Sequence, residues 1–219
     1  MAKPELDHFV FACGDVEASQ LRFERRFDEK LHHGGAHPGR GTRNKLGGLS
    51  ANSGDRVYME ILGPDFDQAN PTNAFDALAE DTLFHWAVRS DDLGAIEKAA
   101  EACGFGHDGV VHGERTQTDG SKLEWRLLFL REHDAGAAVP FFIDWGRSPH
   151  PSTTLKPVAE FNAFCVETPH AEQITSLFKS IGADFDVVDS SVSRLALTLE
   201  THGDEHVFAT QSPFPLGLS

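Results

Sequence analysis

Residues 6–18 and 83–95 of this chain are two versions of one segment. Leu6-Asp7-His8-Phe9-Val10-Phe11-Ala12-Cys13-Gly14-Asp15-Val16-Glu17-Ala18 aligns without a gap on Leu83-Phe84-His85-Trp86-Ala87-Val88-Arg89-Ser90-Asp91-Asp92-Leu93-Gly94-Ala95, at an offset of 77. His8 falls on His85, Phe9 on Trp86, Asp15 on Asp92 and Val16 on Leu93. Self-similarity that keeps a strand, a helix start and a histidine in one register points to paired copies of one supersecondary unit.

In the first copy, Leu6 to Cys13 has the apolar density of a strand. Alternation puts Leu6, His8, Val10 and Ala12 on one face and Asp7, Phe9 and Phe11 on the other. The bulky face is expected to meet a helix, leaving His8 on the roomier side. Asp15 is a helix N-cap, and Val16, Phe23 and Phe27 stripe a helix running to about Lys30. The stretch His32-His33-Gly34-Gly35-Ala36-His37-Pro38-Gly39-Arg40-Gly41-Thr42-Arg43-Asn44 has the glycines and proline of a loop. It is also where the unit's short second strand is expected, and it lacks the Lys-Ser/Thr ending of a P-loop. A strand at about 44–50, a turn at Asn52-Ser53-Gly54-Asp55 and a strand over Arg56–Leu62 follow. Tyr58, Glu60 and Leu62 share one face of that strand, so Glu60 is a carboxylate among apolar neighbours. Residues 64–82 form a connector.

In the second copy, Phe84, Trp86 and Val88 form the bulky face, opposite His85, Ala87 and Arg89. Asp91 or Asp92 caps a helix that Gly104 ends. Residues 105–121 read as loop or short strand. Leu123–Leu130 is a strand with Trp125 and Leu127 on one face and Arg126 on the other. Phe141-Phe142-Ile143-Asp144-Trp145 closes the unit, which aligns Asp144 with Glu60. A fainter third copy lies a further 78 residues on. Its strand is Phe161–Glu167, Thr168-Pro169 is its cap, and Ile174, Leu177, Phe178 and Ile181 stripe its helix. Strands at about 184–189, 194–201 and 205–210 complete it. Here Ala163 takes the histidine position and Thr210 the carboxylate position, so packing of the unit does not by itself require either group.

With 219 residues, 40% of them hydrophobic, a packed globule is expected. A net charge of −15 argues against nucleic acid or an anionic membrane as partner. No apolar run approaches membrane-spanning length, and the first residues lack a signal core. Cys13, Cys103 and Cys165 lack CxxC spacing, which fits a reduced, cytoplasmic protein. No Gly-x-Ser-x-Gly elbow is present, and Cys13 and Cys165 read as buried thiols rather than nucleophiles.

Pairing of the two units about a pseudo-twofold axis would gather His8, Glu60, His85 and Asp144 around one cavity. Two imidazoles and two carboxylates suit a divalent metal such as Zn, Ni, Co, Mn or Fe. A plainer arrangement fits the same residues: His8 and His85 as satisfied core histidines, and Glu60 and Asp144 paired with Arg126 or Arg89. His32, His33 and His37 are a rival cluster, although a glycine loop makes a poor rigid cage. His37, Thr42 and Asn44 read as substrate-contacting or loop-shaping residues. Arg89 and Arg126 are candidates for gripping a substrate carboxylate or phosphate, or plain ion-pair partners.

Leu6-Asp7-His8-Phe9-Val10, the run from Gly35 to Asn44, and Tyr58-Met59-Glu60-Ile61-Leu62 resemble the glyoxalase-like domain family of the vicinal oxygen chelate (glyoxalase/bleomycin resistance/dioxygenase) superfamily. Leu123-Glu124-Trp125-Arg126-Leu127, Pro140 to Gly146 and His150-Pro151 resemble its second half. The resemblance implies an α+β fold of tandem βαβββ modules forming a cup-shaped mixed sheet. The expected division is residues 1–152, with modules at about 5–64 and 83–147, followed by a third, degenerate βαβββ module over 153–219. It also implies a metal ligand from the first and last strand of each module, again His8, Glu60, His85 and Asp144. The activity implied is that of a metal-dependent lyase or isomerase acting on a small substrate with vicinal oxygens, with Glu60 or Asp144 as general base. A metal-free binding or sequestering protein of the bleomycin-resistance type is the alternative, with Tyr58, Trp125 and Phe142 against the ligand. An extradiol dioxygenase stands third. The third module is expected either to cover a sheet edge or to form an interface, the latter giving a homodimer.

Overall fold

The computed structural model describes residues 3–51, 54, 56–76, 78–116, 120 and 122–210. The first module is β1 (Glu5–Ala12), α1 (Val16–Phe27), β2 (His32–His37), β3 (Thr42–Ala51) and β4 (Val57–Pro64). The second is β5 (Thr82–Arg89), α2 (Leu93–Ala102), β6 (Gly106–His107), β7 (Val111–Thr116), β8 (Lys122–Leu128), β9 (Leu130–Arg131) and β10 (Phe141–Asp144). The last segment is β11 (Pro157–Thr168), α3 (Ala171–Ser180), β12 (Val187–Asp189), β13 (Arg194–Thr201) and β14 (Asp204–Ala209). Asn52, Ser53 and Asp55 of the expected turn, part of the 105–121 stretch, and residues 211–219 lie outside the described residues. No helix among the described residues is long and apolar enough to cross a membrane.

Helix starts follow the sequence in the two modules. Asp15 accepts a hydrogen bond from Ala18 N at 2.9 Å, and Asp92 from Ala95 N at 2.9 Å, each satisfying a free first-turn donor. Thr168 is instead the last residue of β11, where its hydroxyl accepts from His170 N, and α3 starts without a side-chain cap.

The fold is mixed α+β with one large sheet, ordered β14-β13-β11-β3-β4-β1-β5-β10-β8-β7, with β2 on β3 and β12 on β11. In both modules the first strand pairs parallel with the last, β1 with β4 and β5 with β10. The two first strands then pair antiparallel at the centre. The last segment keeps the element order but not the pairing: β11 lies parallel to β12 and antiparallel to β13. Thr210 follows the edge strand β14 and bonds Leu195 N, so it holds no place equivalent to that of Glu60.

The β1–β5 ladder slips twice, between Leu6 and His8 and between Val10 and Phe11. The first slip leaves Asp7 as an extra residue in β1, and the second leaves Phe84 as an extra residue in β5. These two positions are equivalent under the 77-residue offset. A bulge takes its extra side chain out of the strict alternation. Phe84 accordingly packs with Val10, Ala12 and Phe75, not with Trp86 and Val88.

The last segment covers the outer face of the central strands. Phe9 meets Phe161 and Phe164, and Trp86 meets Phe164, Phe178 and Phe185, all with ring centroids between 4.9 and 5.9 Å apart. Phe208 on β14 lies 5.0 Å from Phe11 on β1. Five strand spacings in a flat sheet would separate β14 from β1 by about 24 Å, so the sheet curls back on itself. Phe9, Phe11 and Trp86 are at most 1% exposed. Cutting the chain after residue 152 uncovers these rings as a contiguous apolar patch. The truncated chain is expected to bind the dye ANS or precipitate, whereas a cooperative melt of a dye-free, soluble truncation would contradict this packing.

Candidate functional site

The other face of β1 and β4 carries a polar network. His8 pairs with Tyr58 in register and stacks on its ring, centroids 4.5 Å apart. Two residues further along β4, Glu60 places Oε2 3.6 Å from His8 Nε2. Because Asp7 sits in a bulge, its carboxylate reaches the neighbouring ring: Asp7 Oδ1 is 2.5 Å from His8 Nδ1. The buried carboxylate thus accepts a hydrogen bond from Nδ1–H and leaves Nε2 facing Glu60. Asp7 Oδ2 also accepts from Trp145 Nε1 at 3.0 Å and from His150 Nε2 at 2.9 Å. Burial alone pushes the Asp7 carboxyl up, but hydrogen bonds from His150 and His8 outweigh it and hold the group well below the usual carboxylate range.

Asn44 is the second hub. Its Nδ2 donates to Glu60 Oε1 at 2.5 Å and lies 3.3 Å from His37 Nε2. Its Oδ1 accepts from Gly35 N at 2.9 Å. His37 Nδ1 in turn lies 2.9 Å from Thr42 Oγ1, which leaves Nε2 as the acceptor toward Asn44. Burial lowers the His37 pKa, with Glu60 opposing. Gly34 makes this hub possible: a Cβ there would stand 1.9 Å from Asn44 Oδ1. The glycine-rich stretch is therefore strand β2 with a short turn into β3; Asn44 and His37 meet Glu60, and Thr42 joins them through His37.

The second module lacks the matching parts. Strand register gives Val10 opposite Glu60 and its counterpart Ala87 opposite Phe141. Phe141, not Asp144, is therefore equivalent to Glu60, and Phe84 takes the place of Asp7. His85 shares the His8 face, but β1 separates it from Glu60. Its Nδ1 lies 2.9 Å from Trp86 N and 3.0 Å from Trp86 O, and burial pulls its pKa down to about 4. Asp144 pairs with Arg126 and accepts from Gly146 N at 2.6 Å. Arg89 is ion-paired with Glu5 and donates to the Leu6 and Arg56 carbonyls. Arg126 thus has one of its expected carboxylate partners, Asp144, whereas Arg89 pairs with Glu5 rather than with Glu60 or Asp144.

Among the described residues no three His, Cys, Asp or Glu side chains are grouped as a metal ion requires. The set His8, Glu60, His85 and Asp144 does not fit a metal as arranged, because two members are committed to other partners. The sequence reading missed Asp7, His150 and Arg115. A period-2 reading sends Asp7 to the wrong face, Arg115 lies in a stretch read as loop or short strand, and His150 entered only as part of a second-half motif with no role assigned.

A family model described as a glyoxalase-like domain matches residues 6–182. The chain belongs to the glyoxalase-like domain family. Among solved structures, a hypothetical protein from Staphylococcus aureus is similar at 20% identity and a TM-score of 0.61, over 94% of this chain and 85% of that one. Methylmalonyl-CoA epimerase from Streptomyces coelicolor, in complex with 2-nitronate-propionyl-CoA, is similar at 18% identity and a TM-score of 0.47, over 65% of this chain and 98% of that one. The Mycobacterium tuberculosis methylmalonyl-CoA epimerase gives 20% and 0.44, over 68% and 92%. A comparison with curated proteins gives no match.

Proposed function

We propose that the protein is a lyase or isomerase that moves a proton at a carbon acid next to a carbonyl of a small substrate with vicinal oxygens, with Glu60 as the base. The observation that carries this reading is the division of labour at Glu60. Asn44 holds Oε1, while Oε2 faces His8 Nε2 and has no hydrogen bond among the described residues. Glu60 Oε2 takes the proton, and the C–H electron pair moves onto the carbonyl oxygen as an enolate. His8, whose Nδ1–H is held by Asp7, turns Nε2 toward the same space, where the neutral ring accepts a hydrogen bond from a substrate hydroxyl and the doubly protonated ring donates one to a developing oxyanion. Tyr58 and Phe141 flank His8, and apolar walls favour enolate chemistry by excluding water.

The test is solvent exchange. A panel of small 2-oxo acids, 2-hydroxy aldehydes and their esters in D2O is followed by proton NMR for catalysed loss of the C–H signal. Exchange above the buffer rate that disappears in Glu60→Gln supports the reading, and no exchange across the panel defeats it. His85→Leu should keep the exchange rate within about threefold, because its ring touches the core rather than Glu60. A loss as deep as that of Glu60→Gln would bring His85 into the site. The sequestering alternative has one observation behind it: a groove of about 590 Å³ beside Trp125 and Trp145 on the second module. Tight ligand binding there, with no exchange, favours that reading.

A further inference from the structure

We infer that Arg115 is the recognition element for a substrate carboxylate, which narrows the substrate to small 2-oxo acids or related carboxylates. This rests on the base reading of Glu60 for its chemistry, but on separate geometry for its binding. Arg115 lies on β7 of the second module, opposite Leu123. In that strand Gly113 abuts the Trp125 ring, so Gly113 and Arg115 share the inner face. Arg115 reaches across to the first module, with Nη1 3.5 Å from Asn44 Oδ1. Asn44 is the residue that holds Glu60. Gly35 leaves room for this approach, since a Cβ there would stand 3.0 Å from Nη1.

What sets Arg115 apart is a charge without a counter-charge. The other described arginines that escape full exposure, Arg43, Arg89 and Arg131, each have a carboxylate partner. Arg115 has none among the described residues. A guanidinium carries five N–H donors, and one long contact to Asn44 uses little of that capacity. Burial pulls its pKa down, and the Glu60 carboxylate, which lies outside ion-pair distance, works against that. A half-buried cation left with spare donors beside a base matches a planar anion that arrives with the ligand. A 2-oxo acid meets both demands: its carboxylate takes the guanidinium fork, and its enolisable C–H lies next to the carbonyl for Glu60. Tyr58 and Phe141 offer the apolar wall for its side chain.

The experiment compares 2-oxobutyrate, 4-methyl-2-oxopentanoate and phenylpyruvate with their methyl esters, by calorimetric titration of the wild type, Arg115→Ala and Arg115→Lys. The acids should bind at least about tenfold more tightly than the esters in the wild type, the scale of a charged hydrogen-bonded pair. The ratio should fall to about one in Arg115→Ala and to an intermediate value in Arg115→Lys, which keeps the charge but not the fork. Circular dichroism checks the fold, and if Arg115→Ala fails to fold, the Arg115→Lys ratio decides. No acid preference in the wild type, whether both forms bind or neither does, overturns the assignment, as does a ratio that Arg115 substitution leaves unchanged. Deuterium exchange is read separately. Acid preference without exchange removes the Glu60 reading and keeps that of Arg115, and exchange without acid preference does the reverse.

Discussion

Glu60→Gln is expected to lower catalysed C–H exchange by about 10²–10⁴-fold, the usual contribution of a positioned general base. Glutamine keeps the length and shape of the side chain, and its carbonyl oxygen still accepts from Asn44 Nδ2. The hub of Asn44, His37 and Thr42 therefore survives, and binding of a carboxylate probe at Arg115 should change little. What disappears is the oxygen that takes the proton. Glu60→Asp offers a second measure: the carboxylate remains but retreats by about one methylene, and misplacement on that scale costs about 10²-fold. Exchange that persists within about tenfold in Glu60→Gln would remove the base from this position.

The fold class was legible because the 77-residue repeat spans two helix caps and two buried strands, and those signals are local. The first-module site was partly legible for the same reason: His8, Glu60, His37, Thr42 and Asn44 lie within one module. Alternation failed at Asp7 and Phe84, where a bulge adds one residue to a strand. A bulge arises from how two strands pair, and neither strand's own sequence announces it. The same limit explains Asp144. The closing strand could be aligned on Glu60 by its carboxylate, but only the pairing of β10 with β5 places Phe141 at that point.

The structure turns that misalignment into a statement about the site. The two modules share a histidine and a bulge, yet the second has Phe84 for Asp7 and Phe141 for Glu60. Without a carboxylate on either side, His85 is a neutral, buried ring. The pseudo-twofold symmetry of the backbone is therefore not a symmetry of the chemistry. The second module contributes differently, through Trp145 to Asp7 and Arg115 to Asn44. Such contributions join residues some 70 to 140 positions apart, a distance over which sequence pattern carries no signal. The third segment was legible as a run of elements and as a cover for an edge, but not as the cover of the central strands' outer face, since its curl back onto Phe11 depends on the whole sheet.

Asp7→Asn is expected to have the largest effect on stability. Asp7 is fully buried and accepts from three side chains on two segments, His8, Trp145 and His150. An amide offers one acceptor oxygen and one donor group in place of a charged pair of oxygens. At least one of the three donors then loses its partner, and the NH2 faces another donor. Removing one member of such a buried set costs roughly 3 kcal/mol, which lowers the melting temperature by about 6–12 °C in a chain of this size. The pH dependence gives the sign. The folded pKa of Asp7 lies below its unfolded value, so its ionised form stabilises the fold above about pH 4 and that contribution is lost as acid titrates it. Melting temperature should therefore fall steeply below about pH 4 in the wild type and more shallowly in Asp7→Asn, so that the two curves converge in acid. Parallel curves would mean that Asp7 does not carry this charge in the folded protein, and the orientation of His8 Nε2 toward Glu60 would lose its physical support.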